Sequence, residues 1–106
     1  MTDHLTIDTA AQDAHAWTVK VRGDLDASSA PQLGAVLLEL IDHDARLVAV
    51  DLEGVDFLDS SGLRVILAAS ERLAKQNGQL FLQGVSAAVE RVLEITGVIE
   101  RLKRSA

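Results

Sequence analysis

The run Leu47-Val48-Ala49-Val50 restricts the fold of this chain more than any other segment. Consecutive apolar residues cannot alternate between a wet and a dry face. A strand built from them, here Arg46 to Leu52, is therefore covered on both sides, as strands of a parallel sheet are. Parallel neighbours need crossover connections, usually helices, and the flanking segments have the spacing to supply them.

Leu5 and Ile7 alternate with Thr6 and Asp8, which predicts a short first strand; residues 9–15 read as a connection. Trp17, Val19 and Val21 alternate with Thr18, Lys20 and Arg22, the period of a strand with one wet face, ended by Gly23. The two strands are close enough to form an antiparallel hairpin. Ser28-Ser29 followed by Pro31 is a helix start. Leu33, Val36, Leu37, Leu40 and Ile41 then share one helical face. After Leu52 a loop over Gly54–Ser61 is predicted. Leu63, Ile66, Leu67, Ser70, Leu73 and Ala74 repeat at helical spacing up to the stop Asn77-Gly78. Gln79–Gln83 reads as a further buried strand. Ser86 caps a third helix carrying Val89, Val92 and Leu93 and ending at Gly97, and Val98-Ile99 adds a short final strand. The expectation is one α/β domain over residues 1–106, with a core over 4–101 and a basic, frayed tail over 102–106. Its sheet is mixed but mostly parallel, with an N-terminal β-hairpin and helices packed against it.

Several function classes lose ground on composition. Ten Lys and Arg against sixteen Asp and Glu leave a net charge of −6, which disfavours nucleic acid and anionic lipid as partners. The chain has no cysteine, so thiol redox chemistry and cysteine metal sites are excluded. No apolar run approaches the ~18 residues of a membrane span. Met1-Thr2-Asp3-His4 lacks the basic start of a signal peptide, so a cytoplasmic location is expected. A hydrophobic fraction of 48% with only 3% aromatic residues implies an aliphatic core. No phosphate-cradling glycine loop is present, and no cofactor or metal site is expected.

The segment with chemical content is Asp59-Ser60-Ser61-Gly62-Leu63, at the junction of the apolar strand and the second helix. Asp and Ser are common helix caps, so one reading is simply a helix start. Gly62 is odd under that reading, because glycine in a helix costs about 1 kcal/mol relative to alanine. It is tolerable where something must approach the backbone closely. Ser60 falls at a helix N-terminus, where free N–H groups and the helix dipole favour an anion such as phosphate.

With Val55-Asp56-Phe57-Leu58 before it and Arg64-Val65-Ile66-Leu67 after it, this segment resembles the phosphorylatable-serine motif of anti-sigma factor antagonists, single-domain members of the STAS domain family. Gly23-Asp24-Leu25-Asp26 with Ala30 and Leu33 is similar to the family's segment after its second strand, and Gly97-Val98-Ile99 to its C-terminal end. Asp24 stands where the family usually has glutamate. The resemblance implies a binding protein, not an enzyme. It makes Ser60 the phosphoacceptor, with Asp59, Ser61 and Gly62 supporting the site. It points to a partner surface including Asp24, Asp26, Asp56, Leu58 and Arg64. It implies a partner switch. The unphosphorylated chain binds an anti-sigma factor of the histidine-kinase-like ATPase class, often itself the serine kinase, and a PP2C-type phosphatase reverses the modification. Phosphate adds about −1.5 to −2 charges, which helix N–H groups are expected to hold with little refolding.

Three rivals stand beside this reading. A serine hydrolase needs a base near the serine, yet His4 and His15 fall near the opening hairpin and His43 at the far end of the first helix. There is no Gly-x-Ser-x-Gly elbow. A phosphoacceptor receiver domain would use Asp51 but lacks the acidic pair after its first strand. A non-switching STAS scaffold subunit, as in lipid-transport ATPase complexes, is poorly separated by sequence. Nothing in the chain demands a dimer.

Overall fold

The computed structural model of the chain describes residues 5–97 and 102–104. The elements run β1 (Thr6–Ala11), β2 (Ala16–Leu25), α1 (Ala30–Asp42), β3 (Leu47–Leu58), α2 (Ser60–Ala74), β4 (Gln79–Val85), α3 (Ala87–Thr96) and β5 (Lys103–Arg104). The sheet order is β1-β2-β3-β4-β5. β1 and β2 form the antiparallel hairpin, with Ile7 opposite Val21, and the remaining pairings are parallel. This is the mixed, mostly parallel α/β sheet that the element order implies.

Val48, Ala49 and Val50 are buried in succession, as a strand covered on both faces requires. On β2, Val19 and Val21 are fully buried while Lys20 and Arg22 are exposed, so one face of that strand is wet. Helix α1 buries Leu33, Leu37, Leu40 and Ile41; α2 buries Leu63, Ile66, Ala69 and Leu73; α3 buries Val89 and Leu93. These side chains join the strand residues in one aliphatic cluster. Ala74, expected on the buried face of α2, is exposed, and Ala69 takes the inward position.

Four strands run further than their sequences suggest: β1 reaches Ala11 and β4 reaches Val85, and the extensions of β2 and β3 shape the site. β2 does not end at Gly23. That residue adopts φ 108°, open to glycine and strained for other residues, and pairing continues through it to Leu25. β3 does not end at Leu52, and Gly54–Leu58 is strand rather than loop. The β2–β3 register slips between Lys20 and Arg22 and again between Gly23 and Asp24, each time placing an extra residue on β3. A slip of one residue shifts the inward position by one. Leu52, Val55 and Leu58 are consequently all buried, three apart instead of two.

The C-terminal expectations need one adjustment. Val98-Ile99 lies outside the described residues. Leu102 is buried, and Lys103–Arg104 pair with Phe81 and Leu82 of β4, so the sheet extends into the segment expected to be a frayed tail.

Candidate functional site

The ends of β2 and β3 lie side by side. Asp24 is opposite Phe57 and Leu25 opposite Leu58, and the Asp59 N–H donates to the Leu25 carbonyl at 3.2 Å. This register brings the loop leaving β2 and the start of α2 to the same end of the sheet, where α/β folds commonly place their sites. The sequence-derived residues Asp24, Asp26, Asp56, Asp59, Ser60, Ser61 and Arg64 all fall in this region.

At the α2 junction Asp59, not Ser60, is the N-cap. Its carboxylate Oδ1 accepts from the Ser61 N–H at 2.8 Å and from the Gly62 N–H at 3.3 Å, while its carbonyl accepts from the Leu63 N–H at 3.2 Å. The helix N-terminus therefore already holds an anion. The expectation that free N–H groups at this end would cradle a phosphate is corrected accordingly: Asp59 uses two of them. Ser60 is the first helical residue and is exposed. Its hydroxyl has no hydrogen-bond partner among the described residues. Ser61 is half-buried.

Gly62 is buried, and the group that approaches it is the core itself. A Cβ there would meet Leu58 Cδ1 at 2.6 Å and Leu25 Cγ at 2.7 Å. Its side-chain position thus serves packing of α2 on β2 and β3, and only its N–H, bonded to Asp59, belongs to the site. Leu58, assigned to the partner surface by resemblance, is 4% exposed and packs inward. Its packing in the core cluster leaves little of its surface to offer a partner. The apolar group actually presented there is Phe57, 49% exposed. Sequence reasoning missed it because Phe57-Leu58 offers two adjacent apolar residues, and only the register slip at Asp56 decides which one faces out.

Asp26 organises the other half of the site. Its Oδ1 accepts from the Ser28 hydroxyl at 2.8 Å, the Ser28 N–H at 3.0 Å, the Ser29 N–H at 3.1 Å and the Ser29 hydroxyl at 3.2 Å. The Ser28 hydroxyl first, then the Ser29 N–H, hold its carboxyl below the usual carboxylate range. Ser29 occupies the N-cap of α1, as its sequence position suggests. Its hydroxyl bonds back to the Asp24 carbonyl at 2.8 Å instead of capping forward. The Asp24–Ser29 loop is thus internally tied, and it leaves β2 where Asp24 pairs with Phe57.

Asp56 and Arg64 are exposed. Arg64 has no ion-pair partner among the described residues. Among the described residues the surface is acidic, with the cation Arg64 at its helical margin and the exposed ring of Phe57. Neither described histidine reaches it. His15 sits where β2 and β3 begin, its carbonyl bonded to the Arg46 and Leu47 N–H groups, and the His43 ring contacts the Glu39 carbonyl. Asp51 lies within β3, where its Oδ1 accepts from the Glu53 N–H at 2.9 Å. Among the described residues no cluster of His, Asp or Glu has a metal-binding arrangement.

Comparison with known proteins gives this geometry a context. The family model described as STAS domain matches residues 6–105. An anti-sigma-B factor antagonist of Staphylococcus aureus is 36% identical over 95 residues, covering 90% of this chain and 87% of the relative. The crystal structure of an anti-sigma factor antagonist from Mycobacterium paratuberculosis superposes with a TM-score of 0.84 at 26% identity, covering 95% of this chain and 85% of that one. The Bacillus cell fate determinant SpoIIAA in its phosphorylated form has a TM-score of 0.74 at 18% identity, covering 95% and 92%, a likeness of fold alone.

Proposed function

The chain belongs to the STAS domain family, and on that premise we propose that it acts as an anti-sigma factor antagonist switched by phosphorylation of Ser60. The observation that carries the reading is the exposed Ser60 hydroxyl, without a partner among the described residues, at the sheet end where Asp24, Asp26, Asp56, Phe57 and Arg64 converge. The Staphylococcus aureus relative and the Mycobacterium paratuberculosis structure support the antagonist part of this reading.

The unmodified chain docks this surface on an anti-sigma factor of the histidine-kinase-like ATPase class and so frees a sigma factor for transcription. That partner, acting as a kinase, transfers phosphate to the Ser60 hydroxyl, and a PP2C-type phosphatase removes it. Asp59, Ser61 and the Gly62 N–H support the site by fixing the start of α2. The chain's own work is binding and not catalysis, in the cytoplasm and as a monomer. Among the described residues no helix is long and apolar enough to cross a membrane.

Phosphorylation acts through charge at an interface. The added group, about −1.5 to −2 charges, lies next to the Asp59 carboxylate and close to other acids. Asp59 already occupies N–H groups of the helix end, so much of the new charge is displayed outward. A partner patch suited to the unmodified acidic surface is basic around its centre with an acidic group for Arg64, and a bulky dianion disrupts that fit.

The reading is tested by isolating the partner from the native cell and measuring its affinity for the parent chain, Ser60→Ala and Ser60→Asp at low and high salt. Ser60→Ala keeps binding and loses regulation; Ser60→Asp weakens binding, more at low salt. Equal low-salt affinity of Ser60→Asp and the parent would instead favour a non-switching scaffold. Incubation with the partner kinase and Mg-ATP places the label on the Ser60 peptide, and label retained in Ser60→Ala contradicts the assignment.

A further inference from the structure

Arg64 stands four residues after Ser60 on α2, one turn along the same face, and both side chains are exposed. Helical side chains lean toward the N-terminus, so a long residue covers the turn before its own Cα. For Arg64 that turn is the one carrying the Ser60 hydroxyl. The pair has its acid, once phosphorylated, N-terminal to its base, the more favourable order on a helix. No ion pair holds Arg64 elsewhere among the described residues. The alternative resting place for the phosphate, the helix N–H groups, is occupied at Ser61 and Gly62 by Asp59.

We propose that Arg64 is the internal counterion of phosphorylated Ser60, so that phosphorylation both adds negative charge and withdraws the cation of this surface from the partner. The groups around the phosphate are Asp59 and Arg64 at the start of α2, Asp56 from β3, and Asp24 and Asp26 from the end of β2 and its loop. The carboxylates all oppose its second ionisation, and Arg64 alone in this set favours it. The guanidinium fork suits phosphate oxygens in a way a carboxylate on Ser60→Asp would reproduce only in part. The proposal deepens the phosphoswitch reading and rests on Ser60 as the modified residue.

The test incorporates phosphoserine at position 60 during translation, so no kinase is required. The second ionisation of the phosphate is followed by ³¹P NMR in the parent, Arg64→Gln and Arg64→Lys chains. Folding of each is checked by its amide spectrum. The midpoint in the parent is expected to lie below that of Arg64→Gln by at least about 0.2–0.4 pH unit, the equivalent of one helical ion pair. The gap narrows at high salt, and Arg64→Lys recovers part of it. Identical midpoints in parent and Arg64→Gln overturn the counterion role while leaving phosphorylation of Ser60 intact. Failure of the natural kinase to modify Ser60, with the midpoint gap present, overturns the switch and not the pairing.

Discussion

Asp59 and Ser60 are neighbours with opposite duties. The Asp59 carboxylate holds two backbone N–H groups, so Asp59→Ala should cost about 0.5–2 kcal/mol, while Ser60→Ala, at an exposed hydroxyl without a partner among the described residues, should stay within about 0.5 kcal/mol of the parent. Urea midpoints of the two variants check the order; a larger loss for Ser60→Ala would make Ser60 the structural residue. Gly62→Ala sets two effects against each other. Alanine gains about 1 kcal/mol of helix propensity, but its Cβ enters the space of buried Leu25 and Leu58, and overpacking costs about 1–3 kcal/mol. A net loss is expected by thermal unfolding, and a stabilised variant would show that the leucines move aside. Asp26 contributes to acid sensitivity. Its folded carboxyl titrates below the unfolded value of about 3.9, so the unfolded chain binds the proton first as pH falls. The stabilisation is present above that value and disappears as pH drops through the folded one. Stability measured from pH about 6 to about 2 should decline less steeply in Asp26→Asn than in the parent.

At the scale of elements, α2 couples the site to the core. Ile66 is fully buried, whereas Leu67, one position on, is only partly so. Ile66→Ala should cost about 2–5 kcal/mol, and Leu67→Ala distinctly less, as read from equilibrium denaturation; equal losses would mean that α2 is rotated from its described orientation. Periodicity alone placed α2 and α1 correctly, because a 3.6-residue repeat has one reading when it persists for several turns. It failed at β3. Leu52, Val55 and Leu58 are spaced by three, which no regular strand shows. The cause is the pair of register slips against β2, and a slip is a property of two strands together. The end of α2's apolar face was misread for a related reason: alanine at 69 or 74 satisfies the same pattern, and packing chose Ala69.

Across the whole molecule, the site exists because two strand ends are in register. Phe57 is an exposed ring at that acidic end, paired across the strands with Asp24, and aromatic residues commonly anchor interfaces. Phe57→Ala should therefore weaken the isolated partner's binding at low and high salt alike, by about 1 kcal/mol or more, whereas the loss in Arg64→Glu should shrink with added salt. Titration calorimetry at two ionic strengths separates them, and an unchanged affinity for Phe57→Ala would remove it from the interface. What the sequence by itself determined is the local physics. The doubly covered strand, the helical faces, the stop at Gly97 and the position of Ser60 at a helix start all follow from short-range spacing and side-chain chemistry. What only the tertiary structure decided is which neighbour each group meets. Gly62 yields to Leu25 and Leu58 instead of to a ligand, and Leu58 turns inward while Phe57 turns out. Those outcomes depend on the pairing of β3 with β2, segments some thirty residues apart along the chain, and a pattern read within one segment carries no record of the other's register.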